Sequence, residues 1–281
     1  NVGNLRNDVR LLKQFMKGVG VYSSEQKIQG FAGYLCELLI IHYKSFENVL
    51  KNASEWQCGE YIDIKNSGKK VSFKDPLVVI DPVDPKRNVA SALSLERLCE
   101  FIHYSRLFLE SPSIDYFKKK KKLFVKRYPT SEVYAVIFQG ELLDDIIFSQ
   151  LRKSAKYMFS IFEKNDFKPL SYGLFKKEEE SGIVFEIERY ELSKMVKHLG
   201  PKIFDRSHWE SFVKKYEKTF IEEDKVYTLR ERALLTPHDV ILSVMSGKEG
   251  LGKNLKTLPY RIIKDDEALS FLVDKEFDIY I

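Results

Sequence analysis

The stretch from Ile80 to Ala90 reads IDPVDPKRNVA, which puts Asp81 and Asp84 three residues apart, a proline after each, and Lys86 and Arg87 directly behind. Carboxylates that converge from a rigid strand can hold divalent cations for phosphoryl transfer. This spacing suits that role poorly, because residues i and i+3 of one strand face opposite ways and Pro82 and Pro85 interrupt a continuous strand. A proline-stiffened turn whose carboxylates bond to backbone is the better reading. Arg87 on such a turn could read a planar base edge or a phosphate, or it could close an internal salt bridge to Asp81 or Asp84; the residues alone leave both open. Lys13 lies beside an apolar helical stripe, where its stem can pack while its ammonium either reaches a groove or stays solvated. Tyr22 ends a glycine-punctuated turn and suits a core position as well as a site.

Other chemistries find less support. The five histidines are scattered, with no H-x-x-x-H and no local cysteine partner, so zinc is not indicated. There is no GxSxG, no P-loop and no Rossmann glycine pattern. Asp144-Asp145 and Asp265-Asp266 read as solvated helix ends. A self-contained catalytic centre is therefore not visible in the residues. Lys118 to Lys122 is a run of five lysines, with Lys126 and Arg127 close behind, and reads as a linker or as a phosphate-binding edge.

The 281 residues are 44% hydrophobic and 31% charged, the composition of a folded chain with room for two domains. A net charge of +5 permits a polyanionic partner without requiring one. The apolar run from Leu35 to Ile41 is far shorter than the roughly 20 residues of a membrane helix and includes Glu37. Cys36, Cys58 and Cys99 form no CxxC pair, which points to a reducing, cytoplasmic setting.

The elements that must position these residues follow from periodicity. Asn7 and Asp8 offer an N-cap for a first helix carrying Val9, Leu12, Phe15 and Met16. A second helix has Phe31, Tyr34, Leu35, Leu38, Leu39, His42, Tyr43 and Phe46 at helical steps, so this face should be buried, and helix should continue from Phe46 to Trp56. Gly30 and Gly33 leave room for close approach of another backbone or a ligand. Short β-like pieces at Tyr61 to Ile64 and Pro76 to Ile80 and a helix from about Ser94 complete this part, which should end at the Ser111-Pro112-Ser113 breaker. Beyond it, strands at Ser131 to Phe138, Phe167 to Phe175 and Gly182 to Ile187, a helix at Ile146 to Asn165 and a helical pattern at Leu192 to Leu199 suit a small sheet with helices on one face.

Several of these segments resemble one family. NDVRLLKQFMKGVGVYSSEQKIQGFAGYLCELLIIHY, DPVDPKRNVASALS and HYSRLFLESPSIDYF are similar to the part of archaeal CCA-adding enzymes, class I tRNA nucleotidyltransferases, that follows their catalytic head. SEVYAVIF, KNDFKPL, HLGPKIFD, LTPHD and GLGKN continue the match in order. The D-P-x-D-P-x-x-N-V segment also resembles 2′-5′ oligoadenylate synthetases, although the rest fits the tRNA enzymes better.

The resemblance implies an α+β chain. Residues 1–112 would be a helical nucleotide- and tRNA-binding domain of the kind in poly(A) polymerases and oligoadenylate synthetases. Residues 113–281 would be a ferredoxin-like or RRM-like α+β body with a mixed α/β tail. It implies that Lys13 contacts the nucleotide triphosphate with Tyr22 beside it in the nucleotide site, that Arg87 reads the Watson-Crick edge of CTP or ATP together with tRNA phosphates, and that Lys253 and Asn254 of GLGKN are candidates for tRNA contact. The implied partners are the tRNA acceptor and TΨC stem, and a homodimer is among the expected assemblies. Mg²⁺ ligands and a Gly-Ser motif belong to the family's head and are expected outside a sequence that starts at Asn1, so this chain alone is expected to be inactive. The rival expectation is a stand-alone, non-catalytic protein that binds structured RNA.

Overall fold

A computed structural model describes residues 2–65, 72–118, 128–188, 192–274 and 279. The fold is mixed α+β and divides into two compact units. The first comprises Asn1–Leu123, Leu142–Ser149 and Asp278–Tyr280, and the second comprises Phe124–Glu141, Gln150–Phe277 and Ile281. No helix among the described residues is long and apolar enough to cross a membrane.

The first unit contains helices α1 (Val2–Val19), α2 (Gly33–Tyr43), α3 (Phe46–Ala53) and α4 (Leu95–Glu110), the short parallel strands β1 (Glu60–Ile62) and β2 (Leu77–Val79), and a 3-10 turn at Ile114–Phe117. Leu12, Phe15 and Met16 on α1 are fully buried, and the Phe15 ring meets Phe46, Phe101, Phe108 and Phe117 at centroid distances of 5.4–6.4 Å. Edge-to-face aromatic packing of this kind stabilises beyond the area it buries.

Three expectations for this unit are corrected. Helix α1 begins at Val2, upstream of Asn7 and Asp8, and the Asp8 carboxylate instead accepts the Phe46 N–H at the start of α3 at 2.8 Å. The second helix does not run on into the third: Lys44 is left-handed with φ 74°, and Ser45 caps α3 by accepting from Asn48 N–H. The buried sector of α2 is turned from the one expected, because Cys36 and Ile40 join Leu35, Leu38 and Leu39 inside while Tyr34 and His42 are exposed.

Burial pushes the Cys36 thiol up to about 12. At pH 8 a thiol reagent should therefore label exposed Cys58 and Cys99 and leave Cys36 unmodified until the protein is denatured. Mass spectrometry of the labelled chain reads this directly, and labelling of Cys36 at the rate of the other two would mean that the helical core opens.

The second unit is built on an antiparallel sheet of order β4-β5-β3-β9, with β3 (Ser131–Gln139), β4 (Pro169–Lys177), β5 (Glu180–Glu188) and β9 (Tyr260–Lys264). Helix α5 (Asp144–Lys164) lays Phe162 on Phe185 and Phe159 on Tyr172 at 5.4 and 6.1 Å. Tyr172 pairs with Phe185 across the strands, so these rings share a face, whereas Phe175 points the other way and meets Phe271 of α8 (Asp265–Asp274) at 6.2 Å. Helices thus lie on both faces, not on one. Between β5 and α7 (Pro237–Gly247) comes a second antiparallel sheet of order β6-β8-β7, formed by β6 (Met195–Lys202), β7 (Phe220–Glu222) and β8 (Lys225–Glu231), with α6 (Arg206–Lys215) against it through stacked His198 and Phe212.

Residues Leu192 to Leu199, expected to be helical, lead into β6. Leu192, Met195, Val196 and Leu199 satisfy a helical spacing, but burial along β6 alternates residue by residue, and pairing with β8 satisfies its backbone. Tertiary pairing overrides the local pattern here.

Glu186 lies fully buried in β5 and accepts hydrogen bonds from Tyr128 N–H at 2.9 Å, Ser131 Oγ at 2.7 Å and Ser171 Oγ at 3.4 Å. Glu186→Ala leaves those donors without their acceptor and should destabilise the second unit by about 3 kcal/mol, whereas Glu186→Gln keeps an acceptor and should cost less. Urea midpoints of the two variants check the order.

Candidate functional site

The loop from Gly20 to Ala32 sets the geometry around Tyr22. Gly20 turns the chain with φ +84°, Phe31 N–H donates to Val21 O at 2.8 Å, Ser23 N–H donates to Phe31 O at 3.1 Å, and Tyr22 bridges Phe31 in parallel register. The strands approach so closely at Gly30 that a Cβ there would lie 1.9 Å from Val21 O. The loop is tied to the start of α4 by the buried Arg97, whose Nε–H donates to Ile28 O at 3.2 Å, and by Ser94 N–H, which donates to Gln29 O at 2.9 Å.

This loop brings Tyr22 to Lys13. A Cβ on Gly33 would lie 3.2 Å from the Tyr22 hydroxyl and 3.5 Å from Lys13 Nζ, so both polar tips converge on the bare first residue of α2. Lys17, one turn along α1 from Lys13, holds its Nζ 5.1 Å from the Tyr22 ring centroid. Lys13 Nζ donates to Glu37 Oε1 at 2.7 Å, and this bond holds the ammonium pKa above its ordinary 10.5 against the opposing effect of burial. The cation is thus kept charged. Glu37, Tyr34 and Lys17 were not singled out from the sequence. A single charge inside the apolar run of α2 was the one local signal for Glu37.

Arg87 sits on a closed turn. Ile80 bridges Asn88 in antiparallel register, Asp81 N–H donates to Arg87 O at 3.1 Å, and Arg87 N–H donates to Asp84 O at 2.9 Å. Buried Asn88 uses its amide in full: its oxygen accepts from Val79 N–H and Ala90 N–H, and its nitrogen donates to Asp75 and Leu77 O. Asp81 is also buried; Oδ1 accepts from Val83 N–H at 2.9 Å and from the Tyr34 hydroxyl at 3.2 Å, and Oδ2 faces Arg87 NH1 at 3.4 Å. The Val83 bond leads the effects that hold this carboxyl below its ordinary 3.8, while burial and the Asp81 bond raise the Tyr34 phenol. Asp84 is exposed and accepts from Lys86 N–H at 3.0 Å.

Both aspartates are therefore committed to the turn and do not fit a metal site. Among the described residues, no group of three or more His, Cys, Asp or Glu is placed to hold a metal ion. The two readings of Arg87 prove compatible, since its salt bridge to Asp81 leaves 62% of its side chain exposed.

In the second unit, GLGKN docks on α5. Gly250 has φ +70° with the Tyr157 ring 2.1 Å from where a Cβ would stand, Gly252 N–H donates to Ser154 Oγ at 2.9 Å, and Asn254 N–H donates to Gln150 Oε1 at 2.7 Å. Asn254 is half-buried, while Lys253 is exposed, as are Lys248 and Lys256 on the same segment. Lys248 and Lys256 also line a surface cavity of about 580 Å³. Of the lysine run only Lys118 is described, paired with Asp115 at 2.7 Å; Lys119 to Lys122, Lys126 and Arg127 lie outside the described residues.

Residues 7–118 match the family model described as tRNA nucleotidyltransferase, second domain, and residues 129–265 match CCA-adding enzyme, C-terminal domain. The chain is 38% identical to the CCA-adding enzyme of Methanocaldococcus jannaschii over 86% of its own length and 57% of the relative's. It is 34% identical to that of Methanosarcina acetivorans, covering 98% and 64%, and 36% identical to that of Archaeoglobus fulgidus, covering 89% and 59%. It thus spans roughly three-fifths of the length of these relatives. With a second domain and a C-terminal domain of this kind in the right order, the chain belongs to the CCA-adding enzyme family of tRNA nucleotidyltransferases.

Proposed function

We propose that these 281 residues grip tRNA and position CTP and ATP for the addition of C, C and A to the tRNA 3′ end. The observation that carries this reading is the convergence of Lys13 Nζ and the Tyr22 hydroxyl over Gly33, on the same helix that anchors the Arg87 turn through Tyr34. A compact ammonium and a phenol suit triphosphate oxygens, and the exposed guanidinium fork suits two acceptors in the plane of a base. Attack of the tRNA 3′ hydroxyl on the nucleotide α-phosphate then gains from orientation more than from any acid or base in this site.

The carboxylates that bind Mg²⁺ for that attack are supplied from outside these residues, so the chain alone is inactive; the commitment of Asp81 and Asp84 to the turn supports this. Residues 1–112 act as the helical nucleotide- and tRNA-binding domain. Residues 113–281 act as the tRNA-binding body and tail, with the sheet β4-β5-β3-β9 as a ferredoxin-like or RRM-like core. The acceptor and TΨC stem is recognised through phosphates, shape and 2′ hydroxyls, to which Lys253, Asn254 and the lysine run from Lys118 to Lys122 contribute. The protein works in the cytoplasm.

The test is addition of the separately produced N-terminal part of the M. jannaschii enzyme, followed by an assay of CCA addition to an acceptor minihelix. Activity of the mixture and of neither part alone is expected. An inactive mixture in which the chain binds unrelated RNA duplexes equally well would favour a non-catalytic RNA-binding protein instead.

A further inference from the structure

Arg87 is exposed on a turn, where an arginine ordinarily samples many rotamers, yet a plane-reading guanidinium needs a fixed orientation. The turn contains a device for that. Asp81 is only 4% exposed, and its carboxylate faces Arg87 NH1 at 3.4 Å while its backbone N–H bonds Arg87 O at 3.1 Å. The other carboxylate oxygen is held from two sides, by Val83 N–H within the turn and by the Tyr34 hydroxyl on α2. Tyr34 is 47 residues away in sequence, so this bond ties the turn to the helical body.

One turn further along α2, Glu37 binds Lys13. A single helix thus supplies both the carboxylate that holds Lys13 and the hydroxyl that holds the carboxylate facing Arg87. With NH1 tethered, 62% of the side chain is still exposed, and a guanidinium has donors to spare for a base.

We propose that Tyr34 and Asp81 are positioning residues for Arg87, fixing the plane in which it reads the incoming base. This rests on the nucleotide-site reading given above. Asp81 supplies the charge that holds NH1, and Tyr34 locks the rotation of that carboxylate, so neither touches the nucleotide.

The experiment is side-chain ¹⁵N NMR of the 281-residue chain, with the Arg87 signal identified by its loss in Arg87→Lys. In the parent chain Arg87 should show slow guanidinium rotation and slow N–H exchange. In Tyr34→Phe and Asp81→Asn both rates should rise roughly tenfold, the ratio that corresponds to one charge-assisted hydrogen bond. Tyr34→Phe keeps the ring and should lower the melting temperature by only about 2 to 4 °C, so it carries the test if Asp81→Asn fails to fold. Arg87 rates that are equal in the parent chain and in Tyr34→Phe would overturn the proposal.

A CTP titration followed on the same signals separates the two layers of inference. Affinity weakened roughly tenfold in Tyr34→Phe supports positioning. Arg87→Ala that binds CTP like the parent chain would sink the nucleotide-site reading, even where the rotation data still show Tyr34 ordering Arg87.

Discussion

Arg87→Ala should lower the catalytic efficiency of CTP and ATP incorporation by about 10- to 100-fold, the range set by loss of one bidentate contact to a base. The affinity for tRNA should change by less than about twofold, because one phosphate contact among many carries little of the total. The contrast follows from geometry: the side chain is 62% exposed, its salt-bridge partner Asp81 is buried, and its backbone is closed into the turn by bonds to Asp81 and Asp84. Removing it deletes a recognition group without opening the turn, since Asn88 still holds Val79, Ala90, Leu77 and Asp75. The assay is extension of a tRNA lacking CCA by the chain supplemented with a relative's N-terminal part, beside tRNA binding by filter retention. Equal losses in both measurements would make Arg87 a phosphate anchor and not a base reader.

The second large effect should come from a residue without a side chain. Gly30→Ala places a Cβ 1.9 Å from Val21 O, which is backbone and cannot rotate away. The Val21 and Phe31 strands must then separate, breaking the Phe31 N–H to Val21 O bond and moving Tyr22 between them. Overpacking against backbone costs about 2 to 3 kcal/mol. Part of that loss should be local, because the loop is also tied to α4 through Arg97 and Ser94. A lowered urea midpoint together with increased hydrogen exchange at Ser23 and Phe31 is expected. A variant with parental stability and unchanged exchange would mean that the loop has room that its backbone spacing denies. By comparison Gly33→Ala should fold well, since its Cβ would meet only the tips of Tyr22 and Lys13 at 3.2 and 3.5 Å, and should harm nucleotide binding instead.

These two glycines show how far a sequence reaches. Both were legible as places of close approach, but only the folded loop distinguishes Gly30, which admits a backbone, from Gly33, which admits two polar side chains. The backbone of the Asp-Pro turn was legible, because its bonds span few residues: Asp81 to Val83, Asp84 to Lys86, Arg87 back to Asp84. Asp8, expected to cap the first helix, lies inside it and accepts instead from Phe46 N–H at the start of α3. A cap on the next residues has a sequence signature, whereas one reaching 38 residues to Phe46 has none.

The sequence by itself determined the local and the repeated: the apolar stripe of α1, the existence of α2 but not its buried sector, strand β3, the rigid corner at Asp81 to Asn88, and motifs specific enough to name the family. Tertiary structure alone decided which distant groups meet. Lys13 finds Glu37 and Tyr34 finds Asp81 only once α2 is packed, and β9 joins β3 across more than a hundred residues to complete a sheet. The physical reason is that turn and helix preferences act over a few bonds. Strand pairing and side-chain partnership instead depend on which buried surfaces come together, as at β6, where pairing with β8 overruled a helical spacing.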